Sequence, residues 1–188
     1  MKPPATLRTL ASTDAAALLH FEQHNRDWFE RHVEPRSEDF YALDGVQAHI
    51  AELLAQLDRG QAHPLLIVNS QGEILGRANL KAMDAEGGSG ELGYRIAQAH
   101  AGQGLASLAV RELMRLAHQR WGLRHLEAYV AVDNPASARV LLKNGFERAE
   151  CHPGMARVQG RQIDCHRYEC ALGDPEGQAP VLGGSGSF

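Results

Sequence analysis

The stretch with the most evident chemistry is His100-Ala-Gly-Gln-Gly-Leu-Ala106. Its small residues Gly102, Gly104 and Ala106 keep side chains out of the way. Successive backbone N–H groups can then converge on an anion, with the positive end of a following helix behind them. A diphosphate is the natural guest of such a turn. The dinucleotide pattern G-x-G-x-x-G is not met, because position 107 is Ser. About 30 residues on, Asp133-Asn134-Pro135 opens a second helix with a capping side chain and a proline at the first helical position. Ser137 follows one turn after Asn134 and shares its face. Carboxylates that could act as proton acceptors are Glu91 and Glu127, and Tyr129 lies close by in sequence. Upstream, Asn25, Arg26, Trp28, Phe29, His32 and Arg36 mix aromatic and polar groups at a helix–loop junction. These either line a substrate pocket or pack as core.

Elements must hold these groups in place. Glu91–Ala97 alternates with period two, putting Leu92, Tyr94 and Ile96 on one face and Glu91, Gly93 and Arg95 on the other. It runs into the glycine turn. Leu105, Leu108, Ala109, Leu113, Leu116 and Ala117 then recur at helical spacing, up to a cap at Gly122. His125–Val132 reads as a buried strand, and a helix follows from Pro135 to Lys143, stopping at Asn144-Gly145. Ahead of the turn come a short strand Thr6–Leu10 and a helix Ala15–Arg31. A loop over 33–44 follows, then a helix from Asp44 or Gly45 through Leu57 and a hairpin of Leu65–Asn69 with Ile74–Met83. Two strands close the chain, Phe146–Cys151 and Gln162–Leu172, with a turn near Gln159-Gly160. Residues 173–188 read as a flexible tail after a single domain at 1–172.

Composition narrows the function classes. At 188 residues, with 44% hydrophobic and 22% charged content, the chain fits one globular domain. No apolar run approaches membrane-spanning length, and the prolines in MKPPATLRTL argue against a signal peptide. Three cysteines without C-x-x-C spacing suit reduced thiols in the cytoplasm and no metal site. A net charge of −4 argues against a nucleic-acid partner. Charge is uneven: residues 1–99 carry −5 and residues 100–170 carry +3. A basic half behind a phosphate turn and an acidic half elsewhere would suit an anionic cofactor meeting a cationic acceptor.

Taken jointly, AGQGLA, Asn134-Pro-Ala-Ser137 and Leu142-Lys143-Asn144-Gly145-Phe146 resemble the GNAT acetyltransferase superfamily, over essentially everything from Thr6 to Leu172. The N-x-x-S before K-x-G-F and the Gln159-Gly160…Asp164…Tyr168 hairpin resemble its RimJ/RimL branch, which acetylates the N-terminal amines of proteins, often ribosomal ones. The resemblance implies an α+β three-layer fold. Its mixed sheet of about seven strands would run as an antiparallel meander and then a splayed parallel pair, with helices on both faces. Acetyl-CoA would lie in the gap between Glu91–Ala97 and His125–Val132. Tyr94 and Ile96 would meet pantetheine through their backbones, and Asn134 and Ser137 would contact the cofactor. Ala101, Gly102, Gln103, Gly104, Leu105 and Ala106 would hold the pyrophosphate. Ala101 departs from the family's usual Gln or Arg.

In direct transfer of an acetyl group to an amine, a base or water deprotonates the ammonium and an acid meets the departing thiolate. Leu141 stands where many GNAT enzymes have a catalytic Tyr, so the resemblance points to Ser137 as the acid. Ala156 stands where the Rim-type base would fall, which leaves Glu91, acting through water. Asn25, Trp28, Phe29, Arg36, Glu127 and Tyr129 are the expected acceptor contacts. The acceptor is a protein N-terminus or a small amine such as a polyamine, amino acid or aminoglycoside. A non-catalytic CoA-binding module is the other class. The expected assembly is a monomer or homodimer with no membrane or nucleic-acid partner.

Overall fold

A computed structural model describes residues 5–173. Of the tail expected at 173–188, residues 174–188 lie outside them. One mixed sheet organises the chain. It comprises β1 (Thr6–Thr9), β2 (His63–Val68), β3 (Ile74–Asp84), β4 (Ser89–Ile96), β5 (His125–Ala131), β6 (Glu147–Val158) and β7 (Arg161–Ala171), in the order β1-β2-β3-β4-β5-β7-β6. Every neighbouring pair is antiparallel except β4 with β5. That parallel pair registers only through Ser89↔His125, Gly90↔Leu126 and Glu91↔Glu127. Beyond Glu91 the strands part, so the second half of β4 has a neighbour on the β3 side alone.

Helices cover both faces. On one side α4 (Leu105–Gln119) and α5 (Pro135–Lys143) pack over Leu65, Ile67, Leu80, Leu92, Leu126 and Ala128. Most of the period read from the sequence is buried: Leu105, Ala109, Leu113, Leu116 and Ala117 face this core together with Val110, while Leu108 is only half-buried. On the other side α1 (Ala15–His24), α2 (Arg26–Phe29) and α3 (Leu43–Asp58) enclose Leu18, Phe21, Val46, Ile50, Leu66 and Val68. Sandwiched between both layers, β2 is buried at all six positions and reads as a continuous apolar run.

Two expectations are corrected. The helix expected over Ala15–Arg31 breaks at Asn25 (φ −107°, ψ 10°) into α1 and α2. Asn25 donates its side-chain amide to Phe21 O at 2.9 Å, and its Oδ1 accepts from Gln98 N at 3.0 Å. Short polar side chains compete with the backbone in this way. The strand expected over Phe146–Cys151 instead continues to Val158, through Pro153 and Gly154. It is an edge strand, and its register shifts between His152 and Ala156. Proline is tolerated at such a bulge, and Gly154 (φ +62°) turns there while its N–H donates to Asp164 Oδ1 at 2.8 Å.

Candidate active site

A cleft of about 540 Å³ opens where β4 and β5 part. Its far end is the glycine turn. Gly102 (φ +72°) and Gly104 (φ +82°) both adopt the left-handed region that favours glycine, and Gly104 caps α4. The first N–H groups of α4 have no intrahelical partner, so they and the turn face the cleft as donors. Nothing stands within 4 Å of where a Cβ on Gly102 would project. Of the turn residues singled out by sequence, Ala101, Gly102, Gly104, Leu105 and Ala106 line the cleft. Gln103 does not, and its side chain donates to Ala99 O at 3.2 Å.

Midway along the cleft, Tyr94 of β4 reaches α5. Its hydroxyl lies 2.7 Å from Ser137 Oγ and donates toward Ser137 O at 3.2 Å. Burial pushes the Tyr94 phenol up to about 12, with the Ser137 hydrogen bond opposing the shift, so it stays neutral and keeps its proton at neutral pH. Ser137 is held by its own backbone: Asn134 Oδ1 accepts the Ser137 N–H at 3.2 Å and caps α5, with Pro135 at the first turn. That capping bond occupies the Asn134 carbonyl oxygen and leaves its amide group for other partners. Ile96 and Asn134 line the cleft with Tyr94 and Ser137. Asn144 donates to Ser107 Oγ and Val140 O, both at 2.7 Å, tying the start of α4 to the end of α5.

The near wall comes from α2 and the segment after it. Trp28 and Phe29 line the cleft, as does His32, which sequence reasoning noted without assigning a role. Trp28 Nε1 donates to Ile96 O at 3.1 Å, and His32 Nδ1 is buried without a hydrogen-bond partner. No Asp or Glu appears among the cleft-lining residues.

The other expected acceptor contacts, and the expected base Glu91, are not among the cleft-lining residues. Asn25 is buried as the bracket between α1 and Gln98. Glu91 is paired with Lys81 at 2.6 Å, its neighbour across β3–β4. Glu127 accepts from Tyr129 at 3.1 Å and sits 3.4 Å from Arg167, so this trio forms its own group on the α1–α3 side of β5. Arg36 belongs to a buried ion cluster that the sequence did not reveal. Glu22, with no exposed surface, pairs with the buried Arg77 and, at 3.3 Å, with Arg95. The Arg77 and Arg95 guanidinium groups hold its carboxyl below the usual range against the opposing effect of burial. Arg77 also donates to His49 Nε2 at 2.9 Å, which requires a neutral imidazole. Burial and the nearby arginines press His49 down to about 3.

Comparison with known proteins places this geometry. The model of the acetyltransferase (GNAT) domain matches residues 5–147. "Probable N-acetyltransferase YjcK" of Bacillus subtilis (strain 168) is 30% identical over 144 residues, covering 76% of this chain and 80% of that protein. Among solved structures, ribosomal-protein-S5-alanine acetyltransferase from Vibrio fischeri superposes with a TM-score of 0.87 at 19% identity, over 93% of this chain and 96% of that one. Mycobacterium smegmatis RimJ in complex with CoA-disulfide gives 0.81 at 23% identity, over 89% and 81%. A mutant of the spermidine N-acetyltransferase SpeG from Vibrio cholerae gives 0.74 at 19%, over 89% and 95%. The seven-stranded sheet, the splayed parallel pair and the matched domain agree: this chain belongs to the GNAT acetyltransferase family.

Proposed function

We propose that this chain, a single domain over residues 1–172, transfers an acetyl group from acetyl-CoA directly to a primary amine, and that the acceptor is a protein N-terminus. The observation that carries the reading is the continuity of the cleft. It runs from a left-handed glycine turn at a helix N-terminus, past a strand edge without a neighbour, to a hydrogen-bonded pair of hydroxyls. These features fit the cofactor. The turn and the first N–H groups of α4 would hold the diphosphate, and the free edge of β4 from Leu92 to Ile96 would pair with the pantetheine amides. When bound, the cofactor supplies an activated thioester acyl group.

The chain's own residues supply the proton handling. When the single Tyr94 hydrogen is given to Ser137 Oγ in place of the Ser137 carbonyl, the Ser137 hydroxyl hydrogen is released to donate into the cleft, where it would meet a departing thiolate. For the base we assign His32, an imidazole with a buried unpartnered nitrogen in a wall that holds no carboxylate. Glu91, bound to Lys81, would have to act from outside the lining. Trp28 and Phe29 exclude water from the acceptor end.

Structural likeness to both ribosomal-protein and spermidine acetyltransferases leaves a polyamine as the competing acceptor. Incubating the chain and labelled acetyl-CoA with N-terminal peptides and with spermidine separates them. Label on peptides supports the proposal. Label confined to spermidine replaces the acceptor. Heat of CoA binding without transfer to any amine would leave a CoA-binding module.

A further inference from the structure

Behind the acceptor end of the cleft the charges do not balance. Glu22 is a single carboxylate, and both its oxygens are taken, one by Arg77 and the other by Arg95. Arg36 lies within the field of the same three groups, and among the described residues no carboxylate pairs with it. Its Nε is buried with no hydrogen-bond partner, and its guanidinium stacks 4.2 Å over the Phe40 ring. Burial first, then Arg95 and Arg77, push Arg36 down to about 10, against the opposing pull of Glu22. Three guanidinium groups thus face one carboxylate, and the remaining neighbour, His49, is neutral. Aggregating like charges in this way is unfavourable unless an anion completes the set.

The cluster borders the site through Arg95, with Arg36 and Gly93 just outside the cleft lining. Arg95 lines the cleft, with its guanidinium 5.0 Å over the ring of Phe29, another lining residue. Two residues before Arg95, on the same face of β4, stands Gly93, without a positive φ to explain it. A Cβ added there would meet nothing within 4 Å. Glycine inside a strand with open space above it marks a close approach of a ligand or another chain.

We propose that the acceptor amine carries a carboxylate, which lies over Gly93 and is received by the guanidinium groups of Arg95 and Arg36. This rests on the acetyl-transfer reading above and narrows its substrate class. A planar carboxylate matches the guanidinium fork in geometry and charge, whereas a polyamine would add cations to a cluster already in excess. Two sources present that chemistry: a protein N-terminus with Asp or Glu among its first residues, and a free amino acid.

The test is initial-rate acetyl transfer by the full chain, read as thiol release from acetyl-CoA, on matched acceptors. One arm compares peptides with Asp or Glu at the second or third residue against their Asn or Gln counterparts. A second compares free aspartate and glutamate with their amides. A third is spermidine. The carboxylate member of the favoured arm should show roughly tenfold or higher kcat/KM, the scale of a charged hydrogen bond. Arg36→Gln should bring that ratio toward one and Arg36→Lys should restore part of it, with CoA binding followed by calorimetry as the control. Gly93→Val should raise KM for the acceptor. Should Arg36→Gln fail to fold, the matched pairs on the unsubstituted chain decide alone. Transfer with equal rates for acid and amide, or with spermidine preferred, overturns this inference and leaves acetyl transfer standing. No CoA binding and no transfer overturns both.

Discussion

The hydroxyl oxygens of Tyr94 and Ser137 lie 2.7 Å apart, joining a strand of the sheet to the first turn of α5 across the cleft. The pair has one consequence for kinetics. Ser137→Ala should lower kcat by about 100-fold, the usual size of a general-acid contribution, with the Kd for CoA nearly unchanged. Tyr94→Phe should fall in the same direction by less, because Ser137 keeps its own proton. Equal kcat for both variants and the parent would remove the pair from the reaction. Steady-state rates with calorimetric CoA binding make the comparison.

Gly102 separates binding from stability. Alanine there has room but a disfavoured φ of +72°. The fold should lose only about 1 kcal/mol, while the methyl group would sit in the path proposed for the diphosphate. CoA affinity should drop tenfold or more with a Tm shift of a few degrees. Titration calorimetry and thermal melts read the two quantities independently.

His32→Gln keeps a polar group of similar length while removing the proposed base. The expected result is a fall in kcat/KM for the acceptor of about 100-fold, with KM for acetyl-CoA unaltered. If Glu91→Gln shows that loss and His32→Gln does not, the base is Glu91 and the assignment made here is wrong.

Stability should fall on acidification from neutral pH. His63 accepts a hydrogen bond from Trp121 Nε1 on its Nδ1 at 3.0 Å, so its Nε2 carries the proton toward Thr9 Oγ1. Burial above all presses it down to about 4, and His49 to about 3. Both folded values lie below that of the unfolded chain. The stability from keeping them neutral is therefore complete above about pH 6.5 and is lost as pH falls toward 4. Each contributes on the order of 1–2 kcal/mol between pH 7 and 5. Urea midpoints across that range should decline, and His63→Gln should flatten part of the decline.

Glu22→Gln should be the costliest of these changes. It strands Arg77, itself buried, beside two further guanidinium groups. About 3–5 kcal/mol is expected for breaking a buried pair from one side, measured by chemical denaturation.

How far the sequence spoke depends on the kind of signal. The turn, α4 and the capped start of α5 were legible, because glycine spacing, apolar period and an Asn-Pro cap are local patterns. The place of Ser137, one turn after Asn134, was legible on the same terms, while its role came only from the family resemblance. Its partner Tyr94 was expected to meet the cofactor through its backbone. The contact between their hydroxyls joins residues 43 positions apart and has no local trace. Glu22, in helix α1, and Arg77, in strand β3, were invisible for that reason: a charged residue in either element reads as surface until the fold shows what it faces. Asn25 reads from sequence as an acceptor contact within one continuous helix, and only its bond to Gln98 shows why the helix stops there. Glu91 and Glu127 drew attention as carboxylates on the diverging strands, yet Lys81 and Arg167 are their partners.

The wall and the turn are not independent parts. Asn25 holds Gln98 and Trp28 holds Ile96, so the segment that would touch the acceptor is fastened immediately upstream of the segment that would grip the donor. Clamping either one damps the other through two short struts. Saturating concentrations of one ligand should therefore tighten the second by a reciprocal factor, and cutting a strut with Trp28→Phe should uncouple the two sites while leaving each able to bind.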